Sequence, residues 1–348
     1  MKRFLSVFIL GMVIFSPVFA QSDLQPAAIV RLLKSEPITV KQLRTEVEKL
    51  EKASGRTLTP DQRWEVLDAM VNEKLVFQAA ERDKITVAEN EINSQIQDLR
   101  NQLSAMLQGR QPTEAEFASA VRSQFGVDVP ALREEIRRRI LIQKYLQFKK
   151  SAVLNAVTRP TEADIQNVFE LRKSQFVRPD TVRFQMIQVA NGGDAASRTK
   201  AKELADRLAR EIGGNPAKFD EKVTESLKPN SGYQGGDGGY LPRNPEAQQL
   251  VGEDFIKTAF SLKQGEVSKV LESPRGFHII KVTETHSMKP LTLDDQFQLG
   301  NSMTVRAYIT NALLQERQAA VYQKATTELF TELRQGNPFQ LFKDNVKW

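Results

Sequence analysis

Apolar residues recur every three or four positions through the segment 39–176. This period predicts amphipathic helices. One helix is expected to begin at Thr59, with Pro60 at its first helical position. Its apolar face carries Trp64, Leu67, Val71 and Leu75. Thr86 and Thr113 are each followed three residues later by Glu, so we expect both to cap further helices. The first part of the chain therefore predicts an all-helical domain.

After Arg178-Pro179-Asp180, side chains of two kinds alternate at every second position. This alternation is typical of a β-strand. The predicted elements that follow are a strand over 182–189, helices over 201–208, 219–224 and 255–260, and strands over 269–272 and 277–282. The glycine-rich stretch 231–240 predicts a loop. This order of elements predicts an α+β domain.

Helical spacing returns from Leu293 and stops at Gly336-Asn337-Pro338. These last apolar stripes are too small to form a core of their own, so we expect them to pack on the N-terminal helices. The predicted fold class is α+β: a helical N-terminal domain, completed by C-terminal helices, with one inserted α+β domain. The expected boundaries are 1–20, 21–178, 179–287 and 288–348.

The first twenty residues have the layout of a secretory signal peptide. Lys2 and Arg3 precede an apolar run over 4–15, and cleavage is expected after Ala20. The alternative is a membrane anchor, but a bilayer span needs about 20 apolar residues. Residue 21 is Gln, so we expect no lipoprotein anchor. We therefore expect an exported, periplasmic protein without stable membrane insertion.

The composition excludes several kinds of site. The chain has 348 residues, of which 49 are Lys or Arg and 43 are Asp or Glu, for a net charge of +6. Charges of both signs are interspersed, so no nucleic-acid partner is expected. There is no Cys, and there are only two His. Disulfides, thiolate sites and His-rich metal sites are therefore excluded, and we expect no metal and no cofactor.

The glycines at 235–239 could be taken for a phosphate cradle. However, they do not form a Walker motif, and no predicted strand precedes them as the dinucleotide fingerprint requires. The preferred interpretation is structural, because glycine permits tight backbone turns against a sheet.

With its neighbours, this stretch resembles the parvulin (rotamase) type of peptidyl-prolyl isomerase over 179–285. The matching motifs are Gly235-Gly236-Asp237-Gly238-Gly239, Asp254-Phe255, Ala259-Phe260-Ser261-Leu262, Gly265-Glu266-Val267-Ser268 and Gly276-Phe277-His278-Ile279-Ile280-Lys281-Val282. The segments 71–75 and 84–87 resemble the N-terminal region of SurA-type exported chaperones. Together, the two resemblances imply a SurA-like chaperone that carries one parvulin domain.

Rotation of an X–Pro bond meets a barrier of about 18–20 kcal/mol. An apolar slot and a polar group that stabilise the twisted amide suffice to lower it. The resemblance implies that His278 and Gln185 occupy the catalytic positions, although the family has a second His where Gln185 stands. It implies a proline pocket formed by Phe255, Val251 and Phe184.

The polar part of this site departs from the family pattern. The family's loop acid or thiol would fall near Lys228 or Pro229, and neither residue supplies it. Gly238 replaces a larger pocket residue. His278 therefore has a structural interpretation as well, as a histidine bonded to a neighbouring strand.

Three functions remain open at this stage. The first is a holdase for unfolded secreted or outer-envelope polypeptides with weak or absent isomerase activity. The second is an active peptidyl-prolyl isomerase, and the third is a non-catalytic assembly protein. Two observations discriminate: whether Gln185 and His278 face each other, and whether the helical part presents an exposed apolar groove. The oligomeric state is left open.

Overall fold

The computed structural model describes residues 24–107 and 109–348. The predicted signal peptide lies outside these residues. In the described part of the chain, no helix combines the length and the apolar character that a membrane span requires. The strands are β1 (Pro26–Val30), β2 (Glu36–Thr39), β3 (Val177–Arg178), β4 (Thr181–Ala190), β5 (Gln234–Pro242), β6 (Leu271–Ser273), β7 (Gly276–His286), β8 (Lys289–Pro290) and β9 (Phe339–Leu341). The α-helices are α1 (Val40–Ser54), α2 (Pro60–Arg82), α3 (Glu89–Met106), α4 (Glu114–Phe125), α5 (Val129–Leu154), α6 (Glu162–Leu171), α7 (Ala195–Ile212), α8 (Pro216–Glu225), α9 (Pro245–Val251), α10 (Glu253–Ser261) and α11 (Val305–Leu333).

The chain folds into two compact units. The first, called here the helical unit, contains the residues up to 157 together with 317–348. The second, called here the sheet unit, contains residues 158–316.

The core of the helical unit joins the first and last strands of the described part of the chain. Strand β1 lies between β2 and β9 and is antiparallel to both. This small sheet was not predicted, because only a short extended piece near β2 is visible in the sequence. Leu329 and Leu333 of α11 are buried in the same cluster as Leu67 and Val71 of α2. The C-terminal segment is therefore part of the core of this unit.

The capping predictions are confirmed at two helices. Thr59 and Thr113 each accept a hydrogen bond from the main chain three residues on, and Gln62 and Glu116 complete the two capping boxes. The prediction for Thr86 is wrong. The next helix is capped at Ala88, whose N–H donates to the carboxylate of Glu91 at 2.9 Å.

The sheet unit is built on a four-stranded antiparallel sheet of order β5-β4-β7-β6. One face packs against α7 and α8 through a cluster that includes Ile187 and Phe277. The other face packs against α9 and α10 through a cluster that includes Phe184 and Phe255. Because successive strand residues point to opposite faces, the register decides which side chains can meet.

Most of the glycine-rich stretch is a strand and not a loop, which corrects the prediction. Gly232 precedes the strand, whereas Gly235, Gly236, Gly238 and Gly239 lie in β5, which pairs with β4 along most of its length. The chain approaches its neighbours closely there: a Cβ at Gly235 would lie 2.9 Å from the Cα of Val223. The register shifts near Gly239, whose φ is +78°. The glycines therefore permit close packing and a bulge in an edge strand.

The segments on either side of the sheet also belong to the sheet unit. A separate cluster buries Phe169 and Phe176 against Leu291, Leu293 and Val305. Strand β3 pairs with β8 next to it. Residues 158–178 and 288–316 therefore pack with the sheet unit, whereas the boundaries drawn from the sequence assign them to the helical parts.

Candidate functional site

His278 lies in β7 and is only 5% exposed. Its Nε2 lies 2.7 Å from the Oγ of Ser273, which accepts a hydrogen bond from the main-chain N–H of Arg275 at 3.0 Å. The Nδ1 atom is buried and has no partner among the described residues. Burial, followed by the positive charge of Arg275, lowers the pKa of His278 below its usual value. The imidazole is therefore neutral at pH 7 and can serve as a hydrogen-bonding group, but not as a cation.

Gln185 does not face His278. In the ladder between β4 and β7, Gln185 pairs with Lys281, whereas Gln188 pairs with His278. Residues paired across an antiparallel ladder share a face, and their sequence neighbours lie on the other face. Gln185 is therefore on the opposite face of the sheet from His278, and its Oε1 is buried without a partner in the described part of the chain. The two residues therefore do not face each other across one pocket.

The three residues predicted to form the proline pocket do come together. The ring of Phe255 meets the ring of His278 edge to face at 5.6 Å and that of Phe184 at 5.8 Å. Val251 packs on the same cluster. Phe255 and Phe184 are 2% and 5% exposed. Because both rings are almost fully buried, a proline ring could reach them only if side chains moved.

Gly238 is the reason that Phe184 fits there. A Cβ built at Gly238 would lie 2.4 Å from the ring of Phe184, well inside van der Waals contact. The loss of a side chain at residue 238 therefore does not open the pocket. Instead, the aromatic ring of Phe184 occupies the space.

Lys228 and Pro229 lie on an exposed turn after α8 and bring no carboxylate or thiol to this region. A cavity of about 430 Å³ lies near this turn, lined mainly by neutral polar groups. They include Gln188, Ser226, Asn230, Ser231 and Tyr233. Gln188 also donates from Nε2 to the carbonyl oxygen of Arg275 at 3.3 Å. The cavity offers hydrogen bonds but no group that titrates near neutral pH.

A larger concave surface lies on the helical unit, between α1 and α2. We call it the α1–α2 groove; its volume is about 820 Å³. Its apolar lining is Ile38, Leu50, Leu58, Val66, Ala69, Met70 and Phe77. Leu50 is 46% exposed, and Ala69 is exposed as well. The groove is therefore an open apolar surface on a helical pair, of the kind that marks an interaction site.

Some of the charged residues that line this groove form ion pairs. Lys74 lies 3.1 Å from Glu36, and Arg138 of α5 lies 4.0 Å from Glu73. Burial raises the pKa of Glu73 above its usual value, although the charge of Arg138 opposes this shift. The apolar lining is thus bordered by charges of both signs.

Comparison with known proteins assigns both parts of the chain. The model of the SurA-like N-terminal domain matches residues 1–146, and that of the PPIC-type PPIase domain matches residues 160–296. The chain therefore combines a SurA-like N-terminal domain with a PPIC-type PPIase domain. The SurA-like match falls on the helical unit, and the PPIC-type match falls on the sheet unit.

Relatives that are similar to this chain are named either PrsA or SurA. The foldase protein PrsA of Clostridium botulinum strain Hall is 24% identical over 314 residues, which cover 88% of this chain and 81% of the relative. The chaperone SurA of Chromohalobacter salexigens is 23% identical over 284 residues, which cover 80% of this chain and 61% of the relative. A solved structure from Campylobacter jejuni, described with the SurA-like chaperones PEB4 and Cj1289, is 15% identical and covers 92% of this chain and 100% of that chain, with a TM-score of 0.36.

Two neighbours of His278 were not among the residues predicted for the site. Ser273 forms a hydrogen bond with His278, and Gln188 lies opposite His278 on the neighbouring strand. Ser273 precedes the hairpin turn by one residue, a signal that was visible in the sequence. The position of Gln188 depends on the register, which the sequence does not show. The sequence raised the question of an exposed apolar groove on the helical part, but it did not predict which residues line the α1–α2 groove.

Proposed function

We propose that this protein is an exported holdase that binds unfolded or partly folded secreted or outer-envelope polypeptides in the α1–α2 groove. The observation that carries the proposal is the open apolar lining of the groove, with Leu50 and Ala69 exposed at its surface. Apolar surface removed from water contributes about 25 cal/mol per Å². An unfolded client exposes such surface, so capture in the groove is favourable without any cofactor or energy source.

The proposal includes the location of the protein. Lys2 and Arg3, the apolar run that follows them and the cleavage site after Ala20 support export to the periplasm. Unfolded exported polypeptides would meet the protein there.

The proposal assigns weak or absent isomerase activity to the PPIC-type domain. Three observations support it: Gln185 lies on the face opposite His278, no acid stands at Lys228 or Pro229, and Phe184 fills the apolar slot. The alternative is an active isomerase, favoured by the contact between Phe255 and His278. A refolding assay limited by proline isomerisation separates the two, because an active enzyme accelerates the slow phase.

The holdase activity is tested with charges placed in the groove. The double variant Leu50→Asp/Ala69→Asp changes two exposed groove residues, so its fold should be retained. Met106→Asp is the matched control, because Met106 is 80% exposed at the end of α3 and does not line the groove. We expect the groove variant to lose most of its suppression of client aggregation and the control to keep it. Equal suppression by both variants would contradict the proposal.

A further inference from the structure

Each neutral polar side chain that lines the α1–α2 groove uses one of its polar atoms in a hydrogen bond to the main chain beside it. Gln42 and Gln62 accept from the N–H groups of Thr39 and Thr59 at 2.9 and 3.0 Å. The hydroxyl groups of Thr45 and Ser54 donate to carbonyl oxygens in α1 at 3.0 and 3.4 Å. The main chain of the two helices is bonded internally.

This arrangement disfavours an extended client. An extended segment carries an N–H and a C=O at every residue, and burying them without partners is unfavourable. The two helices that form the walls offer no strand edge to which such a segment could add, and the edge strand β2 borders the groove only at Ile38. A helical client satisfies its own main-chain groups and needs only apolar contact.

The dimensions of the groove also suit a helix. Its wall on α2 runs from Gln62 to Phe77, which is about 22 Å at 1.5 Å per residue. A client helix of about four turns has this length. Ala69 lies midway along the wall, and a small residue there allows a third helix to approach closely.

The charges at the two ends of the groove indicate the client's chemistry. Lys41 lies at the beginning of α1, and Arg56 lies just beyond its end. Neither cation is paired with an acid in the part of the chain that the structure describes, unlike Lys74 and Arg138. Acidic residues at both ends of a client helix would complement them.

We infer that the α1–α2 groove selects client segments that form an amphipathic helix of about four turns, with acidic residues flanking the apolar face. This inference rests on the proposed holdase function and names the class of segment that the same groove recognises.

The test uses the full chain and three labelled peptides of about 16 residues, whose binding is followed by fluorescence anisotropy. The first peptide has apolar residues at helical spacing and Glu at both ends. The second has the same composition with apolar and polar residues alternating, and the third is the first with Lys in place of the terminal Glu. We expect the first peptide to bind at least about tenfold more tightly than either of the others. The double variant Lys41→Glu/Arg56→Glu should reverse the preference between Glu and Lys ends.

The outcomes separate this inference from the proposed function. If the alternating peptide binds as tightly as the helical one, and Leu50→Asp/Ala69→Asp weakens both, the inference is wrong and the holdase groove stands. The inference is also wrong, and the holdase groove again stands, if no peptide binds while the groove variant still loses aggregation suppression. If no peptide binds and the groove variant suppresses aggregation as the wild type does, both fail.

Discussion

Gln188 lies directly opposite His278 on the neighbouring strand, whereas Gln185 lies on the other face of the sheet. This register places any cross-strand partner of His278 at an even-numbered position of β4. The order of motifs along the chain does not determine this register, so the resemblance alone does not show which residue of β4 faces His278.

The register predicts the effects of two His substitutions on prolyl isomerisation. Gln185→His should leave the rate unchanged, because the new imidazole lies on the face opposite His278. Gln188→His places the imidazole on the same face as His278 and should raise the rate, since a second polar group on this face can stabilise the twisted amide. A proline-limited refolding assay measures both variants. A larger gain from Gln185→His would show that the register is wrong.

The close contact between Gly238 and Phe184 predicts a conditional loss of stability. Gly238→Ala should lower the free energy of unfolding of the sheet unit by about 1–3 kcal/mol, as overpacking does. The loss should be smaller in a Phe184→Ala background, because the clashing ring is removed. Urea denaturation followed by far-UV circular dichroism gives the free energies of unfolding of the wild type, the two single variants and the double variant, which together form a double-mutant cycle.

Gly236→Ala is the control for this cycle. A Cβ at Gly236 would meet no atom within 4 Å, and the residue lies in the same strand. Its effect should be close to zero. Equal losses from the two glycine variants would show that the ring of Phe184 does not cause the loss at Gly238.

Burial of neutral His278 predicts a pH dependence of stability. The folded-state pKa lies below the usual 6.5, so the unfolded chain binds the proton more readily. The stabilisation is therefore complete above pH 6.5 and decreases as the pH falls from there toward the folded-state pKa. His278→Asn should remove this part of the slope in denaturation midpoints measured between pH 5 and about 8. Parallel curves for the wild type and the variant would contradict it.

The core position of α11 predicts the effect of a single truncation. Leu329 is 1% exposed in the core of the helical unit, so Leu329→Ala should destabilise this unit by about 2–5 kcal/mol. Tyr322→Ala in the same helix should have a small effect, because Tyr322 is 47% exposed. Both Trp residues, Trp64 and Trp348, pack on this core, so tryptophan fluorescence during denaturation reports the unit directly. Equal shifts for the two variants would show that α11 does not complete the core.

Local signals made most of the helices predictable. The threonine caps at Thr59 and Thr113 and the apolar spacing of α2 are short-range features, and the structure confirms them. The strand at the glycine-rich stretch was missed because glycine has a low β propensity. Here, the close approach of α8 at Gly235 explains why glycine is used.

The arrangement of the side chains around His278 depends on the strand register, which the sequence does not show. Bulges shift the register between Phe184 and Gln185 on one side of β4 and between Arg183 and Phe184 on the other. A shift of one residue exchanges the two faces of a strand, so motif order alone did not determine which side chain meets His278. Phe255, Val251 and Phe184 pack in one apolar cluster, at the positions that the resemblance implies for the pocket.

Site-specific photocrosslinking tests most directly whether clients bind in the α1–α2 groove. A photoreactive amino acid is placed in the full chain at Leu50 or Ala69 in the groove, and at Gln188 or Leu227 in the sheet unit, and each variant is irradiated with an unfolded client. If the groove binds clients, adducts should form mainly from positions 50 and 69, and they should be lost when an unlabelled client competes. Adducts that form mainly at positions 188 and 227 would contradict binding in the groove.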